Sequence, residues 1–287
     1  MRASTPLLWL SLVASTGLAA SAAAETTGRW EQTYHVHHRP SVEIITNDGE
    51  VVVRTWDRPT VTVRVSTVGW PIGSGGVEVD GAQGGDEVHV QARAPRWEFS
   101  FSPRHRSLRI EVWTPEASDL DLKTGDGDVT VPAMRGRVAV RTGDGSITVD
   151  GAHGQLRLST GDGRIVGRAL DGTLDAHSGD GSVNVDGRFD ALTLGSGDGS
   201  ITAEVMPGSR LTAGASATTG DGRLTLRLPA DLKAELDAHT GDGAIDVDLP
   251  MTVAGRVNRN HVHGSLNGGG PLVRLSSGDG SIRIEAR

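Results

Sequence analysis

The chain has 287 residues, a formal net charge of −8 and only 3% aromatic residues, while its 40 glycines are about twice the usual ~7% share. So few aromatics leave little material for a conventional globular core, and the regular apolar alternation described below argues against disorder. Cysteine is absent, which excludes disulfides, a thiol nucleophile and cysteine metal sites; arginines scattered singly along strands, with lysine only at Lys123 and Lys233, exclude the basic stripe that nucleic acid requires.

In chain order, residues 1–24 read as a secretory signal peptide. Arg2 supplies the positive end, Leu7 to Leu18 the apolar stretch and Ala22-Ala23-Ala24 the small-residue cleavage site before Glu25. The apolar run is short for a membrane anchor, and no later stretch approaches transmembrane length. The expectation is export to the periplasm or beyond, with no transmembrane segment after cleavage.

Residues 25–116 read as an irregular β region. Alternating segments such as TVTVRVS (60–66) and SLRIEVW (107–113) predict strands, and the Gly-rich segment 69–85 predicts a long connection or hairpin. Nearly all aromatics beyond the leader gather here: Trp30, Tyr34, Trp56, Trp70, Trp97, Phe99, Phe101 and Trp113, with only Phe189 afterwards.

From residue 117 to 287 a repeat takes over. Gly-Asp-Gly recurs with aspartates at Asp126, Asp144, Asp162, Asp180, Asp198, Asp221, Asp242 and Asp279; the first four intervals are 18 residues, the next 23, 21 and 37. The last interval is close to two periods and is expected to hide a degenerate coil. Around each copy the template is the same. Val138 and Val140 precede the hydroxyl residue Thr142, and Ile147 and Val149 follow Asp144, with polar residues between. That is period-two alternation, two short strands per repeat with one face buried. A ninth copy lies upstream in VEIITNDGEVVV, where Asp48 is flanked by the same apolar offsets and Asn47 replaces the first Gly. Gly and Asn both accept a left-handed backbone, so this position is expected to have φ > 0 throughout. A stacked β-solenoid and an antiparallel meander both fit the side-chain parity. The even spacing and near-identical residues at equivalent positions favour the all-β solenoid, a parallel β-helix of ~18-residue coils.

These repeats, with NDGEVVVRTWDRPTVTV (47–63) and the ending GSLNGGGPLVRLSSGDGSIRIEA (264–286), resemble a bacterial family of β-strand-repeat proteins of unknown function grouped as putative adhesins. The resemblance implies an exported or envelope-exposed β-solenoid with a role in adhesion or surface interaction. It supplies no catalytic residues.

The aspartate column is the sharpest candidate site. Stacked at ~4.8 Å, neighbouring unit charges repel by about 0.9 kcal/mol in water and ~3.5 kcal/mol at an effective dielectric of 20. Either each carboxylate accepts hydrogen bonds from turn amides, or a cation, most plausibly Ca²⁺, bridges coils. The first solution is favoured, because calcium sites converge several carboxylates on one ion. His35 with His37, and His261 with His263, alternate on strands at a spacing that can bind zinc, although exposed strand histidines explain them as well. A polysaccharide-cleaving site would need two carboxylates in different environments, whereas these aspartates sit in equivalent ones. The sequence therefore points to a non-enzymatic scaffold without cofactor, whose partner is an envelope or surface component, protein or polysaccharide. A cation-binding or ligand-sensing envelope protein, and more distantly a carbohydrate-active enzyme, are the alternatives.

Overall fold

The computed structural model describes residues 27–95, 106–253 and 258–287; the leader at 1–24 and the aromatics Trp97, Phe99 and Phe101 lie outside them. Among the described residues the chain is all β, with no helix, and its 23 strands join through continuous pairing.

Two ladders of parallel strands face one another. The first runs through Asp119–Lys123, Arg135–Thr142 and His153–Thr160, then through the later halves of the long strands Ile165–Ser178 and Val183–Ser196, and on to Ala215–Thr219. The second runs through Val129–Val131, Ile147–Asp150, the earlier halves of the same long strands, Ile201–Val205 and Leu224–Leu228. Pairing is in register: Val138 lies beside Leu120 on one side and Leu156 on the other, and Ile147 lies between Val129 and Ile165. Identical positions therefore stack, and the alternation that puts Val138, Val140, Ile147 and Val149 inside puts Ala139, Arg141 and Thr148 outside. Each buried branched side chain stabilises the stack by about 1.5–3 kcal/mol. A lone coil would have no partner above or below for its backbone groups.

Chain order and stacking order differ at both ends. Near the N-terminal end, Ser41–Thr46 sits between Glu87–Arg93 and Asp119–Lys123, and Glu50–Trp56 sits between Ser107–Pro115 and Val129–Val131. The stack thus extends upstream of residue 117. At the other end, Leu272–Ser277 is inserted between Ala215–Thr219 and Ala234–Thr240, and Ile282–Ala286 between Leu224–Leu228 and Ile245–Asp248. In the long interval before Asp279, where the spacing suggests a degenerate coil, the described residues do not stack as one. They include two antiparallel strands: His261–Leu266 pairs with Ala234–Thr240, Met251–Val253 pairs with His261–Leu266, and the chain then returns to fill the gap. At the N-terminal end Glu78–Gly84 covers the first ladder, while Thr60–Val68 and Thr27–His35 cover the second, all antiparallel. Antiparallel caps stop the open sheet edges from templating further strands.

Candidate functional site

Each coil turns two corners, and each corner forms a column down the stack. At the first, the Gly-Asp-Gly segments lie directly on one another. The Gly143 and Asp144 N–H groups both donate to the Gly125 carbonyl, at 2.5 and 3.3 Å, and the pattern repeats at Gly161 and Asp162 on Gly143. None of the first glycines of the motif has positive φ, contrary to the expectation from Asn47. Close approach selects them instead: a Cβ on Gly143 would lie 2.7 Å from the Gly125 oxygen, and one on Gly145 only 2.0 Å from the Gly127 oxygen. Asn47 is tolerated because the strand on that side of it, Glu87–Arg93, has no such corner. There its amide pairs with the Ala94 backbone, Nδ2 donating to the carbonyl at 2.9 Å and Oδ1 accepting from the N–H at 2.8 Å.

The aspartates of this corner do not cap it. Asp126, Asp144, Asp162, Asp180, Asp198, Asp221, Asp242 and Asp279 are exposed and Asp48 is half-buried, and among the described residues none of their carboxylates accepts a hydrogen bond. The corner's first Gly and Asp amides are already committed to the neighbouring coil's carbonyl, and the second Gly amide to a hydroxyl of its own coil. The cap is the hydroxyl residue before the motif. Thr160 Oγ1 donates to the Gly145 carbonyl at 2.9 Å and accepts the Gly163 N–H at 3.1 Å; Thr142, Ser178, Ser196 and Thr240 repeat the arrangement, all buried. The sequence signal was present as the invariable Thr or Ser before Gly-Asp-Gly, whose hydroxyl has the donor and acceptor capacity the corner needs.

The histidine pairs point outward as their spacing predicts, but they sit at opposite ends of the stack. His35 and His37 belong to the N-terminal end, where the His37 and His38 N–H groups donate to Asp86 at 2.7 and 3.1 Å and hold its carboxyl below the ordinary range. His261 lies across from His239, ring centroids 6.0 Å apart, with its Nε2 3.3 Å from Asp237; His263 is exposed beside them. No three metal-ligating side chains converge among the described residues.

The second corner carries what the sequence reading missed. Arg135, His153, Asp171 and Arg188 occupy one register column, and beside it Gly136, Gly154 and Gly172 form a floor without side chains. These glycines have φ of 154°, 132° and 123°, and a Cβ on Gly154 would lie 2.2 Å from the Gly136 oxygen. A cleft of about 540 Å³ lies over Gly136 and Gly154; across the Arg135–His153 column a second, of about 460 Å³, runs past Met134, Gly151 and Ala169 and meets a third, of about 290 Å³, at Asp171 and Arg188. A fourth, about 590 Å³ and lined by His37, His38, Trp56 and Arg58, continues the line through Glu116. Trp56 is fixed there: its Nε1 donates to the Thr60 carbonyl at 2.8 Å, it stacks on Trp113 at 6.4 Å, and the Arg58 guanidinium lies 5.1 Å from its ring. Ion pairs hold the charged walls: Arg39 with Asp119, Arg135 with Glu116 at 3.2 Å, Arg188 and His153 with Asp171, and Arg210 with Asp190 at 3.0 Å.

The family model described as Toastrack DUF4097 matches residues 40–285, nearly the whole described chain. The chain belongs to this family. Among solved structures the Toastrack chain is similar to a "putative lipid binding protein" of Parabacteroides distasonis ATCC 8503, at 13% identity and a TM-score of 0.51, covering 90% of this chain and 96% of that one. It is also similar to a "putative adhesin" of Bacteroides fragilis NCTC 9343, at 14% identity and a TM-score of 0.48, covering 89% and 96%. A "putative adhesin" of Parabacteroides merdae ATCC 43184 aligns at 8% identity and a TM-score of 0.34, covering 89% and 95%. At 13% identity the likeness to the first of these speaks for the fold alone. No match was found among curated proteins.

Proposed function

We propose that this protein is an exported, non-enzymatic β-solenoid of ~18-residue coils that serves as an adhesin or cell-envelope interaction scaffold. The observation that carries this reading is the in-register stacking, which repeats one outer chemistry at fixed steps along a rigid body, as in the corner column from Asp126 to Asp198. A surface of that kind matches a partner that is itself repetitive or extended, and many weak equivalent contacts add up by multivalency. Catalysis needs the opposite, a few groups whose environments are driven apart. The corner carboxylates share one environment.

The test is fractionation of cells producing a tagged form, with mass-spectrometric identification of what co-purifies. Recovery in the periplasm or medium together with an envelope component is expected. Recovery only inside the cell, or turnover of a glycan panel by the purified protein, overturns the reading.

A further inference from the structure

We infer that the trough along the second corner is a binding site for a linear, carboxylate-bearing polysaccharide. The inference rests on the scaffold reading above and names the class of partner. Three features of the trough lead to it.

Its shape suits an extended chain. From Glu116 to Arg210 the trough crosses successive coils at ~4.8 Å each, so it runs about 24 Å, open along its length rather than closed around a small molecule. One coil step is close to the length of a pyranose ring along its polymer, so equivalent wall positions meet successive sugars. Glycines in the clefts, Gly136, Gly154, Gly151 and Gly208, let such a chain approach the backbone.

Its hydrogen-bonding capacity is unbalanced toward donors. Asp119 accepts from both Arg39 and the Arg137 N–H, Asp171 is shared by Arg188 and His153, and Asp190 and Glu116 each hold one arginine. Along the clefts five arginines (Arg39, Arg135, Arg137, Arg188 and Arg210) face four carboxylates (Glu116, Asp119, Asp171 and Asp190). A guanidinium has five donor hydrogens, and Arg135, Arg188 and Arg210 remain 73%, 61% and 73% exposed beyond their single carboxylate partners. Oriented guanidinium donors favour a ligand rich in acceptors; a carboxylate meets their fork with two parallel bonds, as a phosphate does, and the pyranose-length coil step is what selects a sugar acid over a polyphosphate.

The surroundings reinforce the choice. Trp56 and Arg58 close one end of the line with an aromatic edge and a further guanidinium, a pairing suited to the apolar face and acidic group of a uronic acid. The other corner presents the column of unbonded aspartates, which repels an anionic chain and leaves the trough as its place on the coil.

The experiment is calorimetric titration of the purified protein with polygalacturonate, with its fully methyl-esterified form, and with polyphosphate of matched charge. Polygalacturonate is expected to bind, and both comparison polymers at least ~10-fold more weakly. Loss of charge-assisted hydrogen bonds makes the double variant R135Q/R188Q bind polygalacturonate at least ~10-fold more weakly. D144N/D162N, on the opposite corner, is expected to bind equally or more tightly. Unchanged melting temperatures show that the variants fold. Equal binding of the methyl ester, equal binding of polyphosphate, retention by R135Q/R188Q or no binding at all each overturns the proposal. The cell fractionation above fails or succeeds independently, because this titration does not depend on where the protein resides.

Discussion

Thr160 and Gly145 meet across the boundary between two coils: the threonine hydroxyl donates to the glycine carbonyl at 2.9 Å while accepting the N–H of Gly163 in its own coil. The pair is buried, so water cannot replace either partner. Thr160→Val keeps the shape and removes both bonds, stranding a donor and an acceptor at a cost of about 2–4 kcal/mol. Thr160→Ser should cost less than about 1 kcal/mol, because Ser178 and Ser196 perform the same task. Urea denaturation of both variants checks this, and a Thr160→Val variant as stable as Thr160→Ser would remove the hydroxyl column from the account.

The glycine column gives a second, sharper contrast. At Gly145 a Cβ would meet a backbone carbonyl at 2.0 Å, whereas at Gly84 nothing lies within 4 Å. Gly145→Ala must push two coils apart and is expected to cost about 3 kcal/mol or more. Gly84→Ala should leave stability within about 0.5 kcal/mol. Thermal melts of the two variants side by side decide it.

The aspartate column behaves as uncompensated charge. Asp144, Asp162 and Asp180 are exposed, and among the described residues their carboxylates accept no hydrogen bond. Replacing all three with asparagine should raise the melting temperature at low ionic strength, and the gain should shrink as the salt concentration reaches ~0.15 M, where the Debye length is about 8 Å. Calcium should protect no more than sodium at equal ionic strength. A calcium-specific rise of several degrees, abolished in the triple variant, would restore the cation ladder.

How much of this was legible in the sequence depends on the kind of information. The alternation around Val138, Val140, Ile147 and Val149 announced strands, because side-chain direction in a strand depends on parity alone. The glycines were legible as corners but not as contacts: left-handed geometry and close approach both select glycine, and Asn47 satisfies a different neighbour from the one its substitution suggested. The trough was hidden because Arg135, His153, Asp171 and Arg188 share a place without sharing a type. Stacking order was hidden too, since one template fits a coil anywhere in the stack.

The pH dependence of the N-terminal end follows from Asp86. The backbone N–H groups of His37 and His38 hold its carboxyl below the ordinary range, the first being the larger cause. A depressed folded-state pKa stabilises the protein above the unfolded value, and that contribution is lost as pH falls through the folded value. Asp86→Asn should therefore lower the melting temperature at pH 7, with the gap from the parent closing as acid protonates the parent's carboxyl. A gap that stays constant down to strong acid would mean that charge at Asp86 is irrelevant to the fold.

The strongest dependence on topology concerns the last strands. Leu272–Ser277 and Ile282–Ala286 each pair on both sides, and Val273, Leu275, Ile282 and Ile284 are all at most 1% exposed. Removing residues 271–287 would therefore not trim an end but extract a coil from within the stack, separating Ala215–Thr219 and Leu224–Leu228 from the strands beyond. If the chain order matched the stacking order, the same deletion would remove one terminal coil and leave the rest paired. The two cases differ in hydrogen exchange. With the inserted coil, amides of Ala234–Thr240 and Ile245–Asp248 should lose protection together with those of Ala215–Thr219, while Arg135–Thr142, several coils away, stays protected. Retained protection in Ala234–Thr240 after the deletion would show that this segment holds its place without the coil now lying between.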